Sequence, residues 1–201
     1  MNPNSPANFP RTTCIPGTIS VDAISEDESP RGLISSQCRF SQSNRERNQV
    51  KGFYVLALRT TSRITLELKS IERVTLEPGG YAYVGSAMGN GSTSLENRIG
   101  RHFREEKKIH WHIDHLLREA DGSLSAVWAT SETHYECQLA SALEKHPSFI
   151  GVAKGFGASD CRGGCYSHLF EYVGQDSMIE ELKTVFRDLR FVPHVTEDGQ
   201  L

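Results

Sequence analysis

The sequence has no long hydrophobic run and few cysteines, and each of these absences excludes a class of protein. Its longest apolar stretch is only a handful of residues, far below the ~18 that a membrane-spanning helix requires. The amino-terminal segment MNPNSPANFP lacks the apolar region of a secretory signal peptide. Five scattered cysteines in 201 residues are an odd number and too few for a disulfide framework. We therefore predict a cytoplasmic protein with reduced thiols and no membrane association.

The first part of the chain is also poor in side chains that could form a core. Residues 1–50 hold five of the eight prolines, and Phe9 and Phe40 are their only aromatic residues. Such a segment cannot bury enough apolar surface to offset the entropy of ordering it. We therefore predict a disordered tail over 1–50, with a mobile targeting or partner-binding arm as the alternative.

A bulk excess of positive charge is lacking too. Residues 51–173 carry fourteen Lys and Arg against fourteen Asp and Glu, and the whole chain has a formal net charge of −3. A protein held on DNA by phosphate contacts alone would be basic. Any function with nucleic acid therefore requires a local basic patch.

A folded domain is predicted over 51–173, because hydrophobic periodicity begins at Gly52. Strands are predicted at 53–58, 64–68, 74–76, 81–85, 124–130 and 169–173, and amphipathic helices at 95–108, 109–119 and 135–145. The fold class is α+β, with a small, mostly antiparallel sheet flanked by helices. Residues 174–201 are predicted to form a C-terminal helix and tail. The apolar stripe of this helix favours packing on the domain, and docking of a protein partner is the alternative.

Chemically active side chains are concentrated between His102 and His168, where seven of the eight histidines lie. Their order along the chain resembles the GIY-YIG nuclease superfamily. The segments that carry the resemblance are Gly52-Phe53-Tyr54, Tyr83-Val84-Gly85, Arg98 with His102 one helical turn later, and Glu136 at a helix start. More narrowly, Tyr83–Ala87, Lys108–Asp114, Gly157–Cys161 and Ser167–Leu169 resemble an uncharacterised GIY-YIG-related subfamily found largely in prokaryotes.

The resemblance implies a GIY-YIG-like domain over 51–173 and a metal-dependent DNA endonuclease of the repair or mobile-element kind. Glu136 would hold Mg²⁺ or Mn²⁺ together with water, and Arg98 would bind the scissile phosphate. Tyr54 would activate the attacking water with Tyr83 as its partner, or the two roles could be exchanged. Since a free tyrosine has a pKa of ~10, this role requires about 4 kcal/mol of phenolate stabilisation, to be supplied by arginine and metal.

Histidines and a basic patch complete the expected site. His102 and one of His110 or His112 would position water or protonate the leaving oxygen. The DNA backbone would contact five basic residues within eleven positions, namely Arg98, Arg101, Arg104, Lys107 and Lys108.

A glycine-rich segment, 155–168, occupies the region where the superfamily usually has an asparagine, and no asparagine follows Asn97 here. Its Cys161, Cys165 and His168 have the spacing of three Zn²⁺ ligands. The fourth ligand would come from His110, His112 or Asp160.

We favour packed free thiols over zinc, because the Gly163-Gly164 pair also suits a tight turn. Asp160 and His168 would then stand in for the missing asparagine beside Glu136. Two other function classes remain open on the same scaffold: a non-catalytic nucleic-acid or protein-binding module, and a zinc-stabilised structural adaptor.

Overall fold

A computed structural model describes residues 50–69 and 71–201 of the chain. The tail predicted over 1–50 therefore lies, apart from Val50, outside the described residues. The strands are β1 Gly52–Thr60, β2 Ile64–Leu66, β3 Val74–Leu76, β4 Gly79–Ala87, β5 Leu124–Thr130, β6 Phe149–Gly151, β7 Leu169–Tyr172 and β8 His194–Thr196. The helices are α1 Leu95–His102, α2 His112–Glu119, α3 Glu136–Lys145 and α4 Met178–Asp188. The predicted α+β class is confirmed.

Six of the strands form one antiparallel sheet in the order β6-β7-β4-β1-β5-β8. Strand β1 lies in the middle and is buried on both faces, which explains why its sequence is a continuous apolar run rather than an alternating one. Strands β2 and β3 form the separate hairpin that the period-two pattern predicted.

Two hydrophobic clusters cover the two faces of the sheet. Phe53, Val55 and Ala57 of β1 point to the face on which α3 and α4 pack. The alternate residues of β1 point to the other face, which is covered by α1, α2 and the β2–β3 hairpin. Successive side chains of a strand point to opposite faces, so β1 contributes to both clusters.

Helix α4 packs on the sheet through the apolar stripe seen in the sequence. Its Leu182, Val185 and Phe186 are buried in the first cluster, as the packing interpretation of that stripe predicts. None of the helices in the described part of the chain is long and apolar enough to cross a membrane.

The structure differs from the sequence prediction between 103 and 111. Helix α1 ends at His102, although a helical pattern was predicted to continue to Lys108. Lys107 donates from Nζ to the backbone oxygen of His102 at 2.7 Å, which satisfies a carbonyl at the helix end. Asp114 accepts hydrogen bonds from the backbone N–H groups of His110 and Trp111, each at 2.9 Å, and so fixes the start of α2.

Candidate functional site

Arg98 and Glu136 meet at the end of β4 through Ser86. Arg98, on α1, donates a hydrogen bond from Nη1 to the backbone oxygen of Ser86 at 2.5 Å. Ser86 donates from Oγ to Oε2 of Glu136, the first residue of α3, at 2.6 Å. Helices α1 and α3 pack on opposite faces of the sheet, and the strand end is where their side chains can meet. Ser86 was not among the predicted site residues, although its place directly after Gly85 in the Tyr83–Ala87 segment was a signal for it.

A cavity of about 700 Å³ opens at this junction. Its lining combines charged, imidazole, aromatic and thiol side chains from both halves of the domain. The predicted site residues among them are Tyr83, Arg98, His110, His112, Glu136, Asp160, Cys161 and His168. Ser86, Trp111, His134, Cys137 and Arg162 also line it and were not predicted as site residues.

The Glu136 carboxylate is held from two sides and remains ionised. Its Oε1 lies 3.2 Å from Nδ1 of His168, while Oε2 accepts from Ser86. Burial alone would raise the pKa of Glu136, but the adjacent imidazole of His168 and the hydrogen bond from Ser86 outweigh it and lower the pKa below its usual value. Burial lowers the pKa of His168, and the adjacent carboxylate overrides that effect and raises it. With 26% of its side chain exposed, Glu136 presents a fixed negative charge to the cavity.

Tyr54 and His102 form a buried pair outside the cavity lining. Tyr54 Oη lies 2.8 Å from Nε2 of His102, and each residue is only 2% exposed. Burial raises the pKa of Tyr54 well above its ordinary value, and the nearby Arg98 charge only partly offsets this. Burial also lowers the pKa of His102 to about 3. The pair is therefore a neutral phenol on a neutral imidazole, and the role of Tyr54 in activating water stays a prediction.

The position of the Tyr54 ring requires a glycine at position 85. It is the cross-strand neighbour of Tyr54, and a Cβ atom at Gly85 would lie 2.5 Å from Cζ and 2.6 Å from Oη of the ring. The ring lies directly over the glycine backbone, so a larger residue would displace it. The glycine of the Tyr83-Val84-Gly85 segment thus positions the phenol of the neighbouring strand.

Tyr83 is the tyrosine that lines the cavity, and it is 8% exposed. Burial raises its pKa, as it does for Tyr54. Its ring packs edge-on against Phe156, with centroids 6.1 Å apart. Of the two tyrosines, Tyr83 is the one placed to contact a bound molecule.

Two of the cavity histidines differ in their surroundings. His112 accepts a hydrogen bond at Nδ1 from the backbone N–H of Gly157 at 3.1 Å, and burial lowers its pKa. His112 is therefore neutral at pH 7 with its proton on Nε2. His110 is exposed and packs edge-on against Trp111.

Some residues of the predicted basic patch form hydrogen bonds within the protein, and others are exposed to solvent. Arg101 binds Asp114 through two hydrogen bonds of 2.8 and 3.0 Å, and Lys107 caps the end of α1. Arg104 and Lys108 have exposed side chains. Arg101 and Lys107 thus stabilise the segment between α1 and α2, and the contact of the five basic residues with DNA stays a prediction.

Trp111 lies between the two arginines of this region. The guanidinium carbon of Arg98 is 4.8 Å from its ring centroid, and that of Arg101 is 4.3 Å away. Such cation–π contacts orient planar guanidinium groups. Trp111 therefore links the Arg101–Asp114 pair to the orientation of Arg98 at the cavity.

A cluster of sulphur and nitrogen ligands forms the side of the cavity next to Glu136. The side chains of Cys137, Cys161, Cys165 and His168 each place one ligand atom within 4.8 Å of the others, so the cluster could bind a metal ion. The fourth member is Cys137, on the first turn of α3, and not His110, His112 or Asp160 as the sequence suggested. Burial raises the pKa of Cys161, but hydrogen bonds from the backbone of Cys165 and from the neighbouring thiols lower it to about 6.

Comparison with known proteins gives one match. A family model described as "Domain of unknown function DUF123" matches residues 53–191. Neither a curated protein nor a solved structure matches the chain. The matched range includes every residue of the cavity lining and of the thiol cluster.

Proposed function

We propose that this chain, which belongs to the family of the Domain of unknown function DUF123, is a metal-dependent phosphodiester hydrolase that acts on DNA. The observation that carries the proposal is the junction at Ser86, which holds a guanidinium and an ionised carboxylate at one cavity. Hydrolysis of a phosphodiester requires a positive group on the phosphate and a metal ligand beside it. The resemblance to the GIY-YIG superfamily assigns these roles to the same two residues.

The Glu136 carboxylate fits a hard divalent cation. It is ionised, fixed by Ser86 and His168, and partly open to the cavity. Mg²⁺ typically binds through one or two carboxylates and keeps several waters, so a single glutamate is a sufficient protein ligand. The ion would supply Lewis-acid activation of the phosphoryl group.

Arg98 would bind the phosphate with the donors that Ser86 leaves unused. Only Nη1 is bonded to Ser86, and Nε is buried without a hydrogen-bond partner among the described residues. A buried donor without a partner costs about 1–3 kcal/mol, and a phosphate oxygen would relieve that cost. The planar fork of arginine also matches two phosphate oxygens at once.

Tyr83 would take the role that the sequence first gave to Tyr54. It lines the cavity, whereas Tyr54 lies behind it on His102. A bound cation favours the phenolate of a nearby tyrosine, which opposes the effect of burial on the pKa of Tyr83. His112 would donate from Nε2 to the phosphate or to the leaving oxygen, because its Nδ1 is occupied by Gly157.

DNA contacts outside the cavity would use exposed cations. Arg104 and Lys108 remain exposed, and Arg162 adds a cation at the cavity that the sequence patch did not include. With so few phosphate contacts we propose modest, salt-sensitive affinity. Three free thiols among the described residues suit a reducing compartment, which supports the cytoplasm as its location.

A second candidate function is a non-catalytic nucleic-acid-binding module. The neutral Tyr54–His102 pair favours it, because this pair has a packing role and supplies no base. In that case Arg98 would still bind phosphate, but no cleavage would follow.

The test is cleavage of a panel of branched, nicked and single-stranded DNAs with Mg²⁺ or Mn²⁺. We expect cleavage by the parent protein and a loss of about 100-fold in kcat for Arg98→Lys, which keeps the charge but removes the fork. Arg104→Lys makes the same exchange at an exposed position and should leave kcat unchanged. Binding of the panel without cleavage under any of these conditions would favour the second candidate.

A further inference from the structure

Four metal-ligand side chains converge from two separate parts of the chain. Cys137 lies on the first turn of α3, Cys161 and Cys165 lie on the loop that precedes β7, and His168 ends that loop. Their ligand atoms lie within 4.8 Å of one another, and the sulphur atoms of Cys137 and Cys161 are 3.3 Å apart. In a tetrahedral site with Zn–S bonds of ~2.3 Å, two sulphur atoms are about 3.8 Å apart. The cluster therefore needs only small adjustments to surround one ion.

The loop is shaped around Cys137. A Cβ atom at Gly163 would lie 2.8 Å from the sulphur of Cys137 and 3.6 Å from that of Cys161. The turn between the two loop cysteines thus passes directly over the cysteine on α3. The Gly163-Gly164 pair, which the sequence analysis attributed to a simple tight turn, has a second physical reason at Gly163.

His168 completes the set with one nitrogen. Its Nδ1 lies 3.2 Å from Oε1 of Glu136, within ion-pair distance, and both ring nitrogens are buried without a hydrogen bond of good geometry among the described residues. A histidine that ligates a metal almost always has its other nitrogen on a carboxylate or carbonyl. The ring of His168, only 2% exposed, has this arrangement, with Glu136 as the carboxylate.

We propose that Cys137, Cys161, Cys165 and His168 bind one Zn²⁺ ion, with Glu136 orienting His168 from outside the site. Three thiolates and one imidazole form a ligand set typical of structural zinc, and four protein ligands leave no open position for catalysis. Hard cations such as Mg²⁺ prefer oxygen ligands. The zinc site is thus chemically distinct from the carboxylate site proposed at Glu136, and it does not depend on nuclease activity.

The position of the site gives the ion a structural role at the cavity. Cys137, Cys161 and His168 also line the cavity, so zinc would tie the loop 155–168 to α3 and fix that wall. Through His168 it would also fix the Glu136 carboxylate. Because the ligands come together only on folding, binding of zinc would contribute to the stability of the domain.

The experiment measures zinc in the full chain purified under reducing conditions without added metal. We expect about one zinc per chain in the parent and a loss of nearly all of it in Cys137→Ser, the ligand that sequence spacing did not suggest. The matched control is the double variant Cys14→Ser/Cys38→Ser, whose positions lie outside the described residues and which should keep its zinc. Parent protein without zinc, or Cys137→Ser with full zinc, would overturn the proposal.

A second measurement needs no variant and so does not depend on whether Cys137→Ser folds. Parent protein refolded with Co²⁺ should show the thiolate-to-cobalt charge-transfer band and the intense visible bands of a tetrahedral thiolate site. A spectrum of octahedral Co²⁺ without thiolate bands would overturn the proposal. So would a disulfide between Cys137 and Cys161, detected by mass spectrometry in protein kept under reducing conditions.

Discussion

Replacement of Asp114 by asparagine tests how the segment between α1 and α2 is held in place. The Asp114 side chain is fully buried and accepts two hydrogen bonds from Arg101 and one each from the backbone N–H groups of His110 and Trp111. Burial raises its pKa, but these bonds outweigh burial and lower the pKa below its usual value. The carboxylate is therefore ionised at neutral pH and is the counter-ion of Arg101.

The expected loss of stability follows from the groups that asparagine leaves without suitable partners. The amide keeps one acceptor oxygen but places an NH₂ group among N–H donors, and the Arg101 guanidinium loses its counter-ion at a position with only 20% side-chain exposure. Breaking a buried ion pair typically costs about 3–5 kcal/mol. Since Arg101 retains some contact with water, we expect a value near the lower end, about 3 kcal/mol.

The assay is urea unfolding at neutral pH, in which the midpoint falls while the slope is unchanged. Asp188→Asn, at an exposed carboxylate on the last turn of α4, is the matched control and should change stability by less than about 0.5 kcal/mol. In the double variant with Arg101→Met the cost should be well below the sum of the two single changes, because neither charge is left buried alone. A loss below about 1 kcal/mol for Asp114→Asn would refute this role of Asp114.

Three further predictions concern the tyrosines and their neighbours. Gly85→Ala should destabilise the domain by about 1–3 kcal/mol in urea unfolding, because the new Cβ displaces the ring of Tyr54, whereas Gly79→Ala on the same strand meets no atom closer than 3.9 Å and should be nearly neutral. In its DNA cleavage assay, Tyr83→Phe should lower kcat by about 100-fold or more, and Tyr54→Phe should lower it less, since only Tyr83 lines the cavity; the reverse order would contradict the assignment. His102 has a folded pKa of about 3, so the unfolded state binds its proton first as pH falls, and the parent should lose about 1.6 kcal/mol in total between pH 6.5 and 5 relative to His102→Gln. Parallel stability profiles of these two proteins over that range would show that His102 is not held neutral.

The sheet could be predicted from the sequence because its longer strands carry a clear pattern. The apolar run 53–58 lies within β1, and the segment 64–68, in which apolar and polar residues alternate, contains β2. Strands β6 and β8 have three residues each, too short for a periodic signal. Helix α1 was predicted too long because the segment after it is held by side-chain-to-backbone hydrogen bonds of Lys107 and Asp114, which hydrophobic periodicity does not show.

The candidate site, like the fold, could be predicted only in part from the sequence. Motif order placed Arg98, Glu136 and Tyr83 correctly enough to bring all three to one cavity. Sequence could not show that only Tyr83 of the two tyrosines lines the cavity, since both lie in similar short motifs on buried strands. Cys137 was missed because adjacent helical residues point about 100° apart, so a residue next to Glu136 faces a different neighbour.

Mg²⁺-dependent DNA cleavage by Glu136→Gln is the sharpest test of the metal site proposed at Glu136, with Glu144→Gln, at an exposed glutamate on the same helix, as the control. DNA binding and zinc content are measured on the same samples, because Glu136 also contacts His168. We expect Glu136→Gln to lose at least about 100-fold in cleavage while it keeps DNA binding and zinc, and Glu144→Gln to cleave like the parent. Cleavage by Glu136→Gln at the parent's rate would show that Glu136 does not hold the metal.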